Sequence, residues 1–288
     1  MSILSNKMVV CDFNKHPAIK DVIYVVEDTA ALATNFDELL NNYLVKALEY
    51  FNGGSHSTVE KSWSSIECSS TFTLVLYKSA TWRPDRLTVR RGPFSSAKKF
   101  FTSLEKIAFY GGEGETKSCA SDGLANALHV FDELQSKRQN YLKAGHPISQ
   151  YVILVANSPA YDMPVQDIPT YMGKHVDEIL KKFTERKIFF SVIAPRKIPQ
   201  LIRMYQITGG DLSKYKETNN PNFVNYAKDG TQLVLLNGFE LERQPYVTKA
   251  AQQKQVRVLI SSLDLSEHLF IEIHVKNPGY GICHLTFC

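Results

Sequence analysis

Cysteine is scarce: Cys11, Cys68, Cys119, Cys283 and Cys288 are odd in number and scattered, unlike the regular even spacing of a disulfide framework. Asn-x-Ser/Thr sequons are absent, and the opening residues MSILSNKMVVCDFNKH contain no long apolar segment with a cleavage site. No apolar run reaches the length that crosses a bilayer. These absences predict a cytosolic or nuclear protein. A dense block of one charge is missing too, since 33 basic and 29 acidic residues intermingle to a net charge of +4. Neither a nucleic-acid groove nor a membrane surface is favoured by such a balance. The catalytic signatures Gly-x-Ser-x-Gly and His-Glu-x-x-His are lacking, which argues against a hydrolase. The loop Gly111-Gly112-Glu113-Gly114-Glu115 has no Lys-Ser/Thr ending, and its two glutamates would repel phosphate.

What is present is the composition of a soluble fold: 288 residues, 44% hydrophobic and 22% charged, enough to bury a sizeable core. Short apolar runs alternate with helical periodicities. Val22–Val26 predicts a first strand, and Leu39, Leu40, Tyr43, Leu44, Ala47, Leu48 and Phe51 a helix from about Phe36, capped by Thr34 with Asp37 and stopped by Gly53-Gly54. Strands are expected at Phe72–Leu76, briefly at Leu87–Val89, at Tyr151–Ala156, at Ile188–Ile193 and at Leu233–Leu236. Helices are expected at about Ser95–Ile107, through Leu124–Leu134, through Val176–Phe183 and through Ile198–Tyr205, with Pro199 in a first turn. Tyr151–Ala156, the most continuous β-type run, should lie in the middle of the sheet, buried on both faces. The alternation predicts an α/β fold: a mostly parallel, doubly wound, Rossmann-like sheet with helices on both faces.

In such a sheet ligands sit beyond the carboxyl ends of the strands, where strand order reverses. Three segments should meet there: Glu27-Asp28-Thr29-Ala30-Ala31 after the first strand, the loop Gly111 to Ser118, and Asn157-Ser158-Pro159 after the central strand. This layout resembles the von Willebrand A-type domain, whose metal-binding members carry Asp-x-Ser-x-Ser in the first segment, a threonine in the second and an aspartate in the third. Here Glu27 replaces the aspartate, Thr29 keeps one hydroxyl, Ala31 cannot ligate, Thr116 could stand for the threonine, and Asn157 replaces the second aspartate. A neutral amide and a longer acid suit an octahedral magnesium cage poorly. The resemblance therefore implies degenerate metal-site positions at Glu27, Thr29, Thr116 and Asn157. No cofactor is expected beyond weak magnesium binding that Asp28, Glu113, Glu115 and Asp162 could support.

Longer matches narrow the family. Val22-Ile23-Tyr24-Val25-Val26-Glu27-Asp28-Thr29-Ala30, Tyr43-Leu44, Ala47-Leu48-Glu49-Tyr50-Phe51-Asn52-Gly53-Gly54 and Ser191-Val192-Ile193-Ala194-Pro195-Arg196-Lys197 resemble the N-terminal A-type domain of the Mediator complex subunit 25 family. Phe109-Tyr110-Gly111-Gly112-Glu113-Gly114-Glu115 and Asn157-Ser158-Pro159 agree in kind, so the likeness covers roughly residues 20–210 in order. That family also has a glutamate and a threonine in its first segment. The resemblance implies a nuclear, non-catalytic scaffold that docks onto other Mediator subunits and links activators to RNA polymerase II only indirectly. Neither nucleic acid nor membrane is bound directly in that role. Members continue into a linker and an activator-binding module beyond this stretch, so this chain should bind Mediator and bind activators poorly. A Leu-x-x-Leu-Leu motif is also absent.

Two surface groups compete for a partner. Trp82, Arg83, Arg86, Arg90 and Arg91 concentrate the residue types favoured at interface hot spots, although a basic loop facing water has the same composition. Arg196, Lys197 and Arg203 form the second group. Cys119, expected near a helix start, could have a lowered thiol pKa but has no partner in sequence. The boundaries read as an N-terminal arm over 1–19, the A-type domain over 20–243 and an extension over 244–288, where Leu269–Lys276 alternates like a strand. His268, His274, Cys283, His284 and Cys288 have no common zinc spacing. The reading from a different class is a metal-dependent domain that captures an acidic protein ligand through a cation at Glu27, Thr29 and Thr116.

Overall fold

The computed structural model describes residues 19–53, 70–79, 86–112, 115–139, 147–215 and 224–244. The expectations for Trp82, Arg83, Glu113 and everything beyond Gln244 lie outside the described residues. Six strands form one sheet: β1 Ile19–Glu27, β2 Ser70–Tyr77, β3 Thr88–Phe94, β4 Ile148–Val155, β5 Phe189–Ala194 and β6 Leu233–Leu235. Their order is β3-β2-β1-β4-β5-β6. The pairs β1/β2, β1/β4 and β4/β5 are parallel, while β2/β3 and β5/β6 are antiparallel. The sheet is thus mostly parallel with an antiparallel strand at each edge. Strand order reverses at β1, and the reversal places the crevice beyond the carboxyl ends of β1 and β4.

Both faces of the sheet are covered. Ile23, Val25, Val75, Val152, Leu154, Phe190 and Val192 pack on one side against α4 (Ala120–Arg138), α5 (Val176–Glu185) and α6 (Pro199–Ile207). Val22, Tyr24, Val26, Leu74, Leu76, Ile153 and Val155 pack on the other against α1 (Ala30–Leu39), α2 (Val45–Phe51) and α3 (Ala97–Glu105). Successive strand residues point to opposite faces, so burial on both sides requires the near-continuous apolar runs that the sequence shows. At the other end of β1, Asp21 is buried and receives two bonds from Arg138, at 2.5 and 2.7 Å.

Several boundaries differ from expectation. The first helix starts at Ala30 with Thr29 at its N-cap, so Thr34 lies inside it. The chain turns straight from β1 into α1 because the Glu27 end is anchored in the crevice, as described below. That helix is also interrupted: Leu40–Leu44 forms a π-helical turn between α1 and α2. Its Tyr43 hydroxyl donates to Gln232 and accepts from the Lys228 amide at 2.8 Å, while Gln232 donates to Glu38 at 2.6 Å. The segment before β6 is thereby tied to the widened turn. β3 runs to Phe94 where only a short strand at Leu87–Val89 was expected, with a register break opposite Phe72/Leu74. Ser96 caps α3, accepting from the Lys99 amide, so that helix is shorter at both ends than its periodicity predicts. Pro199 opens α6 as expected.

Candidate functional site

The crevice at the strand-order reversal is built around Glu27, the last residue of β1 and only 1% exposed. Its Oε1 accepts from the Thr29 hydroxyl at 2.8 Å and the Ser158 hydroxyl at 2.7 Å. Its Oε2 accepts from the backbone amides of Asn157 at 2.8 Å and Ser158 at 3.0 Å. Each oxygen therefore has two donors, which uses the acceptor capacity of a carboxylate. The extra methylene of glutamate carries the charge across the crevice to the β4 turn, where it joins the ends of β1 and β4 directly.

Asn157 completes the closure. Its side-chain amide donates to the Ala31 carbonyl at 2.5 Å, and its own carbonyl accepts from Arg196 Nε and Nη2 at 2.9 and 2.6 Å. Of the four expected metal-site positions, Glu27, Thr29 and Asn157 are joined by hydrogen bonds, and the Thr116 side chain is exposed. The hydroxyl that this loop buries belongs to Ser118, beside Ala160 in a single parallel bridge. Sequence reasoning missed Ser118, and it did not single out Ser158; a serine in a turn gives no signal by itself. Arg196, expected in a surface group that competes for a partner, instead holds the Asn157 carbonyl.

Tyr77, the β2 residue in register with Glu27, also enters this space. Its ring lies against Gly123 of α4, where an added Cβ would come within 2.8 Å of the ring. The Tyr77 and Ser118 hydroxyls are both buried without a well-aligned partner. Burial holds the Tyr77 pKa well above its usual value, Glu27 adds to the shift, and Ser118 offsets part of it. Burial also raises the Asp28 carboxyl, against the pull of Lys78 3.9 Å away. Cys119 is the N-cap of α4, but burial pushes its thiol up to about 12, opposite to what a reactive cysteine needs.

A divalent cation fits this arrangement badly. Two hydroxyl protons and two amides are directed into the one charged side chain, so a metal would have to displace donors that already satisfy it. Glu115 accepts from Tyr161 at 2.8 Å, and Asp162 is exposed beside His175. No group of three or more metal-ligating side chains occurs among the described residues.

The basic group is divided. Arg90 pairs with Glu133 at 2.9 Å, and Arg91 donates to the Ser103 and Lys106 carbonyls at 3.1 and 3.2 Å, holding the end of α3. Arg86 is exposed, and Arg203 pairs with Asp177 at 2.6 Å.

Comparison with known proteins decides the family. The sequence pattern described as Mediator complex subunit 25 von Willebrand factor type A matches residues 16–239. The chain belongs to this family. Mediator of RNA polymerase II transcription subunit 25 of Xenopus tropicalis is 33% identical over 223 residues, covering 77% of this chain and 26% of the relative. The Homo sapiens protein of the same description is 34% identical over 188 residues, covering 65% and 24%. The chain thus spans about a quarter of the length of the curated relatives it matches. Among solved structures, the N-terminal domain of TFIIH p34 aligns with a TM-score of 0.42 at 15% identity, covering 67% of this chain and 88% of that one. The SpRpn10 VWA domain aligns at 0.40 and 8%, covering 72% and 85%. Among the described residues, no helix is long and apolar enough to cross a membrane.

Proposed function

We propose that this Mediator subunit 25 A-type domain is a non-catalytic, nuclear scaffold that docks onto other Mediator subunits without a metal ion. The observation that carries the reading is the Glu27 carboxylate, whose four protein donors close the crevice where a related fold would hold a cation. In that reading docking falls to the outer surfaces of the domain, and Glu27, Thr29 and Asn157 hold its loops in place. Arg86, with Trp82 and Arg83, remains a candidate contact to an acidic partner surface. Arg90 and Arg91 contribute less, because each already serves a partner within the chain. The link to activators and RNA polymerase II is indirect and runs through the assembled complex.

Capture of the tagged chain from nuclear extract, with mass spectrometry of the eluate in magnesium and in EDTA, tests this. Recovery of many Mediator subunits in both buffers supports the scaffold reading. Recovery in magnesium alone would support the cation-dependent reading at Glu27 and Thr29, and recovery in neither would overturn the docking role.

A further inference from the structure

β3 ends the sheet, and among the described residues no strand pairs with its outer side. Its register fixes which backbone groups face outward. The Lys78 amide donates to the Leu87 carbonyl at 3.1 Å, and hydrogen-bonded pairs alternate with non-bonded ones along an antiparallel ladder. Val89 and Arg91 therefore bond inward to Leu76 and Leu74, while Thr88 and Arg90 direct their amides and carbonyls outward. The Thr88 amide agrees with this phase, because it donates to the Asp167 carboxylate at 2.9 Å instead of to β2. Beyond it, the Thr88 carbonyl and both backbone groups of Arg90 have no bonding partner among the described residues. Val89, Arg90, Gly92 and Pro93 are all exposed.

The flanks of this edge are basic. Val89 and Arg91 lie on the α3 side, in register with Leu76 and Leu74. Arg91 donates to the Ser103 and Lys106 carbonyls, which fix its guanidinium there and leave its charge in place. Lys99, one helical turn before Ser103, and Lys106 at the C-cap follow the same side of α3, and both are exposed. Arg90 points to the α4 side, where Glu133 binds it, and Arg86 is exposed just before the strand. The acids nearby are already engaged: Glu133 also meets His129 and Lys137, and Asp167 holds the Thr88 amide and hydroxyl. Three open backbone groups bind weakly by themselves, so the charge of the flanks is what selects a partner.

We infer that the outer edge of β3 receives an added strand: an extended, acidic segment of another protein that pairs with the Thr88 carbonyl and with the Arg90 amide and carbonyl. Strand addition draws affinity from main-chain bonds and specificity from alternate side chains. On the α3 side such a segment sets an apolar residue beside Val89 and an aspartate or glutamate two positions away beside Arg91. A second copy of this chain is a poor occupant, since antiparallel pairing of two β3 edges brings Arg90 and Arg91 against their own like. A helix cannot use the edge, because its own amides and carbonyls are already bonded. The inference rests on the docking role proposed above only for the source of the segment, a neighbouring subunit of the same complex. It gives that role a defined place beside Arg86.

The test is selection of a displayed library of short peptides against the full chain, with the winners then measured on three variants. Arg90→Pro removes the outward amide at a position where an edge strand tolerates proline. Arg90→Ala keeps that amide and loses only a surface ion pair. Lys99→Glu/Lys106→Glu inverts the charge of the α3 flank. The expected winners alternate β-branched and acidic residues. Their affinity should fall about tenfold or more on Arg90→Pro and on the double variant, and hold on Arg90→Ala. On the parent chain, a winner should slow hydrogen exchange at the Arg90 amide about tenfold or more, a readout that needs no variant to fold. Winners without acids, unchanged exchange at Arg90, equal binding to Arg90→Pro, or no enrichment at all would overturn the inference. So would a dimer of the free chain that Arg90→Pro dissolves, which gives the edge to a second copy. Capture from nuclear extract with the same variants separates the two proposals. Failure of the parent chain to recover Mediator counts against the docking role alone, whereas recovery undiminished by the variants counts against the edge alone.

Discussion

A buried carboxylate is tolerated when hydrogen bonds replace the water it has lost, and Glu27 has four. The hydroxyls of Thr29 and Ser158 can rotate to become acceptors, but the Asn157 and Ser158 amides cannot. Glu27→Gln should therefore place its NH2 towards the hydroxyls and keep its carbonyl on the amides, losing mainly the charge assistance. Chemical denaturation should show a loss of about 1–3 kcal/mol; an unchanged midpoint would mean the carboxylate does not hold the two turns together. Tyr77 gives the opposite expectation. Its buried hydroxyl has no well-aligned partner, so Tyr77→Phe deletes a desolvated polar atom and keeps the ring. Stability should be unchanged or higher by about 1 kcal/mol, and a clear loss would reveal a bond that this hydroxyl makes. At this scale the sequence was only partly informative. The replacement of aspartate by Glu27 was legible, but its target was not, because three of its four donors belong to Asn157 and Ser158, about 130 residues away in a turn whose geometry no local pattern encodes.

Helices meet the sheet here by close approach, and α4 shows how narrowly. Gly123 lies within its first turns, where alanine would ordinarily be favoured by about 1 kcal/mol. Against that gain, an added Cβ would reach the Tyr77 ring at 2.8 Å. The ring is fully buried and cannot swing away, so the contact outweighs the propensity. Gly123→Ala should lower stability by about 1–3 kcal/mol through displacement of α4, read as a fall in denaturation midpoint, and a gain would show that α4 can slide. The elements themselves were legible wherever periodicity was long, as in β4, α4 and α5. The errors came where another constraint overrode it. Thr34 resembles a cap, yet the anchored end of β1 starts α1 at Ala30. The apolar repeat through Leu39, Leu40, Tyr43 and Leu44 continues unbroken across a π-helical turn, because one extra residue per turn changes hydrogen bonding without removing the apolar stripe. β3 extends past Val89 into Arg90, Arg91, Gly92 and Pro93, residues that an edge strand accepts and a central strand would not.

For the molecule as a whole, the strand order β3-β2-β1-β4-β5-β6 brings segments distant in sequence to one crevice, and the crevice is where a cation would act if one acted at all. The alternation of strand and helix was sufficient to expect that placement, whereas charge and composition said nothing about what fills it. A bound metal stabilises the folded state by mass action. At 100 times the dissociation constant the gain is about 2.7 kcal/mol, which for a domain of this size raises the melting temperature by about 5–10 °C. A site with millimolar affinity would give a smaller but resolvable shift in concentrated magnesium. The Glu27 arrangement predicts neither, since any cation must first break contacts that the folded chain already makes. Melting curves of the full chain in EDTA and in saturating magnesium should therefore coincide to within about 1 °C. A shift of several degrees that disappears in Glu27→Gln would show that the crevice opens to admit an ion. A shift that persists in the variant would assign the metal to another part of the surface and leave the closed crevice intact.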